Sequence, residues 1–119
     1  MKEVRIGAAQ FENRNADKKY NLEVIHSLVK KAVDEGAEIV SFHEGCITGY
    51  TFIRKLGKDE LMDIAEPVPD GASIQTLIDI SREFNVPILA GLLEIDEEKR
   101  IYNTYVCVDE TGLIAKFRK

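Results

Sequence analysis

Residues 38–50 read Glu-Ile-Val-Ser-Phe-His-Glu-Gly-Cys-Ile-Thr-Gly-Tyr, and the fold predicted for the chain depends on this stretch. It begins with apolar and β-branched residues at consecutive positions, which is typical of a strand covered on both faces. Glu44 follows this strand directly, with Gly45 after it. In an open α/β sheet the chemistry usually lies just outside the carboxyl ends of the strands. Glu44 is therefore the first candidate functional residue.

Upstream of this stretch, the sequence predicts a strand followed by an amphipathic helix. Residues 4–9 are short and mostly apolar, and residues 16–35 carry a one-sided apolar stripe at helical spacing. We expect Asn15 to cap the helix, Asp17 to place negative charge in its first turn, and Gly36 to end it in a left-handed conformation. Strand, helix and strand in this order predict a right-handed βαβ unit with parallel strands.

Downstream, the pattern continues as a helix and a strand and then changes to antiparallel strands. A weak helical pattern at 58–65 stops before Pro67 and Pro69. The further predicted elements are a helix that opens at 70–73 and ends at Asn85, and strands at 86–95, 101–108 and 113–118, separated by turns at 96–100 and 109–112. The expected fold class is α/β, a βαβαβ portion followed by an antiparallel β meander.

The composition bounds the function classes. A chain of 119 residues forms at most one domain. Its net charge of -5 and its scattered basic pairs argue against a nucleic-acid surface. No apolar run approaches the ~20 residues that cross a bilayer, and the first strand is too short for a signal peptide. Two cysteines beside apolar residues suit reduced thiols, so we expect a cytoplasmic protein that binds neither nucleic acid nor membrane.

From the residues alone, Glu44 and Lys119 can each be interpreted as structural or as functional. Glu44 is either a structural carboxylate in a turn or a general base whose pKa is raised by burial. Thr48, Gly49 and Tyr50 offer hydroxyls and amides that could hold it. For Lys119, the last residue, position alone favours a frayed terminal charge.

Other kinds of site find less support. His43 and Cys46 superficially offer a base and a nucleophile, but strand alternation and the intervening turn argue against their facing each other. Cys46 is therefore expected to be a packing thiol. The sequence has neither a Cys-x-x-Cys nor a His-Glu-x-x-His spacing, and no glycine-rich loop comes after the first strand. Neither a metal site nor a phosphate-loop nucleotide site is predicted.

Several segments occur in an order and spacing that is more specific than any one of them. They are 4–10 with its Ala-Gln ending, 38–50 with His43 where proline is common, Asp70-Gly71 before a helix, 91–94, Tyr102-Asn103-Thr104, and 112–119 with its Phe-Arg-Lys ending. Together they resemble the amino-terminal half of the nitrilase superfamily, the carbon–nitrogen hydrolases. The resemblance implies a nitrilase-like αββα sandwich, of which residues 1–119 form a single, partial domain.

The resemblance also implies a reaction. In this family a cysteine attacks the carbon of an amide or nitrile, ammonia or an amine leaves, and water hydrolyses the thioester. By the family's pattern Glu44 would be the general base and Lys119 would stabilise the oxyanion. No metal or organic cofactor is expected, and the expected substrate is a small amide or nitrile with a non-peptide carbon–nitrogen bond.

The family's nucleophilic cysteine and a second glutamate lie downstream of the arginine–lysine segment. Neither Cys46 nor Cys107 matches that position. We therefore expect the chain to be truncated before the nucleophile and to have little or no activity alone, because the members of a catalytic unit act together. The sequence of the natural gene would show whether the chain is truncated, because its reading frame either continues past Lys119 or stops there.

Two other functions stay open for this chain. The chain could be a non-catalytic binding or regulatory module that kept the fold, or a flavodoxin-like ligand-binding domain, which the final antiparallel strands disfavour.

Half of a sandwich leaves one sheet face uncovered, and a large apolar patch marks an interface. We expect a homo-oligomer, formed sheet face against sheet face or through residues 51–70.

Overall fold

A mixed five-stranded sheet carries the fold, with its strands in the order β1-β2-β3-β4-β5. The computed structural model describes residues 3–119. The elements are β1 (Ile6–Ala8), α1 (Lys18–Asp34), β2 (Ile39–Ser41), a short 3-10 helix (Thr51–Lys55), α2 (Lys58–Ile64), α3 (Ala72–Phe84), β3 (Ile88–Ile95), β4 (Ile101–Asp109) and β5 (Gly112–Arg118). The first three strands are parallel and the last three antiparallel, so the predicted βαβαβ portion and meander are confirmed.

Helices α1 and α3 cover one face of the sheet because their apolar stripes point at it. Ile25 and Val29 of α1 and Leu77 of α3 are completely buried in the core. They pack with Val40 of β2 and Ile88 of β3. Burial of an aliphatic side chain of this size stabilises the fold by ~1.5–3 kcal/mol, so these contacts hold the helices on the sheet.

The ends of α1 show one prediction that is wrong and one that is confirmed. Asp17, not Asn15, caps the helix, and its Oδ1 accepts a hydrogen bond of 3.1 Å from the Tyr20 N–H. Asn15 lies outside the helix, where its side chain comes close to Gly49. Gly36 comes after the helix with a φ of +95°, the positive value expected of a helix-terminating glycine.

The opposite face of the sheet is left uncovered by these helices, and we call it the open face. Asn103 and Tyr105 of β4 lie on it, together with Phe117 of β5 and Lys119 beyond its end. Phe117 is 68% exposed and Ile6 of β1 is 63% exposed. One face of the sheet is thus uncovered, as expected for half of a sandwich. Among residues 3–119, no helix has the length and apolar character needed to span a membrane.

Candidate active site

Glu44 lies in the turn after β2, where the chain crosses over β3. Gly45 has a φ of +65°, a left-handed conformation that suits glycine. Gly91 of β3 lies directly below this turn, and a Cβ built on Gly91 would stand 3.2 Å from the Cα of Glu44. Two glycines thus place the Glu44 backbone against the sheet, at the carboxyl end of the parallel strands.

Two side chains from the antiparallel strands reach Glu44. Lys119 Nζ lies 3.1 Å from Glu44 Oε1 and 3.5 Å from Oε2. Asn103 Nδ2 donates a hydrogen bond to the same Oε1. The structure therefore brings together the two residues that the sequence pointed to, although 75 positions separate them.

Strand geometry explains why Lys119 points at Glu44. The Lys119 N–H donates a 2.9 Å hydrogen bond to the Asn103 carbonyl oxygen, which extends the pairing of β5 with β4 by one residue. Side chains alternate between the faces of a strand, so Lys119 lies on the same face as Phe117 and opposite Arg118. Asn103 and Lys119 consequently stand side by side on the open face.

Two expectations about the surroundings of Glu44 are wrong. The Thr48 hydroxyl does not hold it, since Thr48 Oγ1 donates to the Gly49 carbonyl and accepts from the Leu93 N–H. The pKa of Glu44 is not raised either, because its side chain is 40% exposed and the upward effect of burial on the pKa is smaller than the effect of its hydrogen bonds. The hydrogen bond from Lys119, followed by the one from Asn103, instead holds the pKa of the Glu44 carboxyl below its ordinary value of 4.5.

An open cavity of about 270 Å³ adjoins the pair. It is lined by Glu44, Asn103, Tyr105, Phe117 and Lys119. The Tyr105 hydroxyl donates a 2.5 Å hydrogen bond to the Phe42 carbonyl oxygen, which ties β4 to the chain just before Glu44. The site thus combines a carboxylate, an ammonium group and an amide with two aromatic walls.

The thiol and imidazole near Glu44 do not form a dyad. Cys46 is completely buried, and its sulfur lies 3.9 Å from the Gly91 carbonyl oxygen. Burial raises the pKa of the Cys46 thiol to about 11. His43 Nε2 is instead 3.0 Å from Asn13 Oδ1, and its ring packs edge-on against Phe11. Cys46 is a packing residue, as expected.

Cys107 and the possible metal ligands add no further chemistry to this cavity. Cys107 is half-buried in β4, and burial raises the pKa of its thiol. Within residues 3–119, no group of three or more His, Cys, Asp or Glu side chains is arranged to hold a metal ion. A larger cavity of about 760 Å³ lies between α1 and α3, away from Glu44, and its lining includes Lys18, Glu66 and Ser73.

Asn103 is the member of the site to which the sequence alone assigned no role. It belongs to the Tyr102-Asn103-Thr104 segment. Strand alternation within β4 sets Asn103 apart from Tyr102 and Thr104, which lie on the other face. That parity was a usable signal, but it required knowing which face carries Glu44.

Comparison with known proteins gives one family and one fold. The model of the carbon-nitrogen hydrolase family matches residues 5–119. A nitrilase of Pyrococcus abyssi is 32% identical over 116 residues, which cover 98% of this chain and 43% of the nitrilase. The omega-amidase NIT2 of Homo sapiens is 30% identical over 94 residues, which cover 78% of this chain and 32% of the amidase. The chain thus spans less than half the length of these relatives.

Solved structures show the same fold. The crystal structure of an N-terminal amidase superposes with a TM-score of 0.82 at 21% identity, over 98% of this chain and 28% of that one. An amidase from Nesterenkonia sp. gives a TM-score of 0.76 at 21% identity, over 98% of this chain and 42% of that one. The nitrilase-like α/β fold expected from the sequence is confirmed.

Proposed function

The chain belongs to the carbon–nitrogen hydrolase family, and from that premise we propose that it supplies two catalytic groups for hydrolysis of a non-peptide carbon–nitrogen bond. Glu44 is the general base and Lys119 is the cation that stabilises the oxyanion. The observation that carries this proposal is the 3.1 Å contact between Lys119 Nζ and Glu44 Oε1 beside a cavity on the open face. Each group comes from the end of a different strand, where α/β folds place their chemistry.

The contact gives each group the protonation state that its role requires. Lys119 lowers the pKa of Glu44, and Glu44 in turn raises the pKa of Lys119 above its ordinary value of 10.5. At neutral pH the carboxylate is therefore ionised and can accept a proton, while the ammonium group is charged and can stabilise a developing negative oxygen. Asn103 restrains the carboxylate without taking up its charge.

In the proposed reaction, Glu44 takes the proton of a cysteine thiol as the sulfur–carbon bond to the substrate forms. The negative charge that develops at the substrate is stabilised by Lys119. With an amide, Glu44 returns the proton to the leaving nitrogen as the carbon–nitrogen bond breaks. With a nitrile, one water first adds to the thioimidate, and the nitrogen then leaves as ammonia. In the last step Glu44 takes a proton from the water that attacks the thioester and passes it to the thiolate as the sulfur–carbon bond breaks. The small cavity with Tyr105 and Phe117 on its walls suits a small amide or nitrile.

The attacking thiol comes, in this proposal, from beyond the matched segment. Cys46 is buried with a raised thiol pKa, and Cys107 does not line the cavity. The 119-residue chain is thus proposed to be a partial domain that ends before the nucleophile and has little or no activity by itself. Its partners are the substrate and a second copy of the chain rather than nucleic acid or membrane, and its compartment is the cytoplasm.

The test is hydrolysis of simple amides and nitriles by the product of the complete natural reading frame. We expect Glu44→Gln and Lys119→Met each to lower kcat by ~10²–10³ or more, as loss of a preorganised charged group does. Glu38→Gln, a surface variant ahead of β2, serves as the control and should keep wild-type turnover. Wild-type turnover in Glu44→Gln would contradict the proposal.

The 119-residue chain alone gives a second arm. We expect no turnover from it, with Cys46→Ala as the control. Turnover that disappears in Cys46→Ala would overturn the assignment and point back to His43 and Cys46. If the protein encoded by the complete reading frame hydrolyses none of these substrates, the result would favour the non-catalytic binding or regulatory module.

A further inference from the structure

A second carboxylate lies on the helix-covered side of the same strands. Glu94 of β3 is only 1% exposed, yet its carboxylate is paired with the cations of Lys116 and Arg118. Its oxygens accept hydrogen bonds from Thr104 Oγ1 at 2.7 Å, Lys116 Nζ at 2.6 Å, and Arg118 Nε and Nη2 at 2.9 and 3.0 Å. A buried carboxylate is stable only when it is paired in this way, so Glu94 joins the three antiparallel strands at one point.

The residues that Glu94 binds are the chain neighbours of those that bind Glu44. Thr104 comes after Asn103 in β4, and Arg118 precedes Lys119 at the end of β5. Thr104 and Arg118 are also register partners across the two strands. Because side chains alternate, one residue of each neighbouring pair faces Glu94 and the other faces Glu44.

We propose that Glu94 is a positioning residue for the Glu44–Lys119 pair. By binding Thr104, Lys116 and Arg118, it holds the last residues of β5 in register with β4. The register decides that Lys119 rather than Arg118 is presented on the open face. Its importance for catalysis rests on the proposed function, whereas the positioning itself is a property of the fold.

Three features support a positioning role over a purely local ion pair. The contacts reach β5 at two positions on one face, Lys116 and Arg118, so the strand is held against both translation and twist. Arg118 is further restrained by the Tyr102 ring, 4.2 Å from its guanidinium carbon. Lys119 itself has a side chain that is 64% exposed and gains no restraint from burial.

The test is the pKa of the Glu44 carboxyl in Glu94→Gln, measured by NMR titration of the side-chain carbon. A positioning role of Glu94 and a purely electrostatic role predict changes of opposite sign in the pKa of Glu44. Loss of the Glu94 charge leaves Lys116 and Arg118 unneutralised, which through space would lower the pKa of Glu44 further. A displaced Lys119 removes the main cause of the existing depression and raises the pKa of Glu44 toward 4.5.

We expect the pKa of Glu44 to rise and the Lys119 amide to exchange at least ~10-fold faster, because its hydrogen bond to Asn103 opens more often. An unchanged or lowered pKa of Glu44 would overturn the proposal. Glu94→Asp is the second variant if Glu94→Gln does not fold. Glu94→Asp keeps the negative charge but shortens the side chain. A rise in the pKa of Glu44 in this variant is therefore due to a displaced Lys119 and not to a lost charge.

Two controls separate positioning from general loosening. Val29→Ala shortens a buried core side chain of α1 and leaves Glu94 and the three residues that bind it unchanged, so it should leave the pKa of Glu44 unchanged. Asp79→Asn removes an exposed carboxylate of α3 that pairs with Arg82 on the same helix, and it should also leave the pKa of Glu44 unchanged. The titration needs no turnover, so a failed catalytic assay and a failed positioning test give distinct results.

Discussion

Gly91 lies so close beneath Glu44 that β3 has no room for a Cβ at this position in the present backbone geometry. A Cβ on Gly91 would overlap the backbone nitrogen of Gly45, and it would stand 3.2 Å from both the carbonyl carbon and the Cα of Glu44. The Ile47 N–H donates a 3.0 Å hydrogen bond to the Gly91 carbonyl, which holds the turn down on the strand. The height of the Glu44 carboxylate above the sheet is thus set by the absence of a side chain in β3.

Gly91→Ala is therefore expected to destabilise the chain by about 1–3 kcal/mol, the usual cost of overpacking, and to displace Glu44 from Lys119. Urea unfolding measures the first effect. Gly57→Ala is the matched control, since a Cβ there meets only Glu60 Oε1 at 3.7 Å. Equal stability of the two variants would show that the turn can lift off β3 without cost.

Lys119→Met is expected to raise the pKa of Glu44 toward its ordinary value, because the hydrogen bond from Lys119 is the largest cause of the depression. The sign follows from the charge, since removing a cation favours the protonated carboxyl. NMR titration measures the shift. Lys18→Met, which removes the ion pair with Glu66 instead, should leave the pKa of Glu44 where it is. A shift of the same size in both variants would point to net charge rather than contact.

Thiol reactivity is expected to separate the two cysteines. Cys46 is buried and its thiol pKa is raised to about 11, whereas Cys107 is half-buried. We expect alkylation of the folded chain at mildly alkaline pH to modify Cys107 at least ~10-fold faster, since the exposed thiolate is the reactive species. Cys107→Ser and Cys46→Ala assign the two rates by mass spectrometry. Faster alkylation of Cys46 would reopen its candidacy as a nucleophile.

Acid is expected to weaken the fold through Glu94. Burial is the largest effect on its pKa and opposes ionisation, but hydrogen bonds from Arg118, Lys116 and Thr104 outweigh it and lower the pKa to about 2. A carboxyl with a lowered folded pKa stabilises the fold above its ordinary pKa of 4.5, and that stability is lost as the pH falls through about 2. The shift corresponds to roughly 3 kcal/mol.

Urea unfolding of wild type and Glu94→Gln across this range measures the effect. We expect the difference between their free energies of unfolding to be constant above about pH 5. Toward pH ~2 the difference should shrink by most of the roughly 3 kcal/mol that the pKa shift of Glu94 corresponds to. Parallel curves would mean that Glu94 does not carry the acid sensitivity.

Self-association is expected through the open face. Phe117 and Ile6 are large, apolar and mostly exposed there. Phe117→Lys should shift the chain toward monomer in sedimentation experiments at micromolar concentration. Ile53→Lys, in the 3-10 helix, tests the other expected interface at residues 51–70. A wild-type chain that is a stable monomer would contradict both interfaces.

The sequence predicted the elements of the fold because their signals are local. Apolar stripes and turn residues lie within one element or beside it, so α1, α3 and the three antiparallel strands follow from the pattern. The cap of α1 shows the limit of such signals. Asn15 and Asp17 are both good capping residues two positions apart, and only the backbone path decides between them.

The chemistry of the site was less predictable because its partners are distant in the sequence. Glu44 lies in the turn after β2 and Lys119 comes directly after β5, but their contact depends on strand parity and on the register of β4 with β5. Without Lys119 and Asn103 in view, burial was the only visible influence on Glu44, and it suggested a raised pKa. The two partners reverse that direction.

The separation of the two carboxylate clusters along the chain has a consequence for the order of folding. Glu94 lies 10 to 24 residues from its partners, all within one antiparallel meander that closes through short turns. The contact of Glu44 with Lys119 closes a loop of 75 residues and needs the parallel strands to be in place. Because long loops cost more entropy to close, we expect the meander to form in an early nucleus and Glu44 to meet Lys119 near the end of folding. A partly folded chain would then hold the Glu94 cluster while its Glu44 still titrates as an ordinary glutamate.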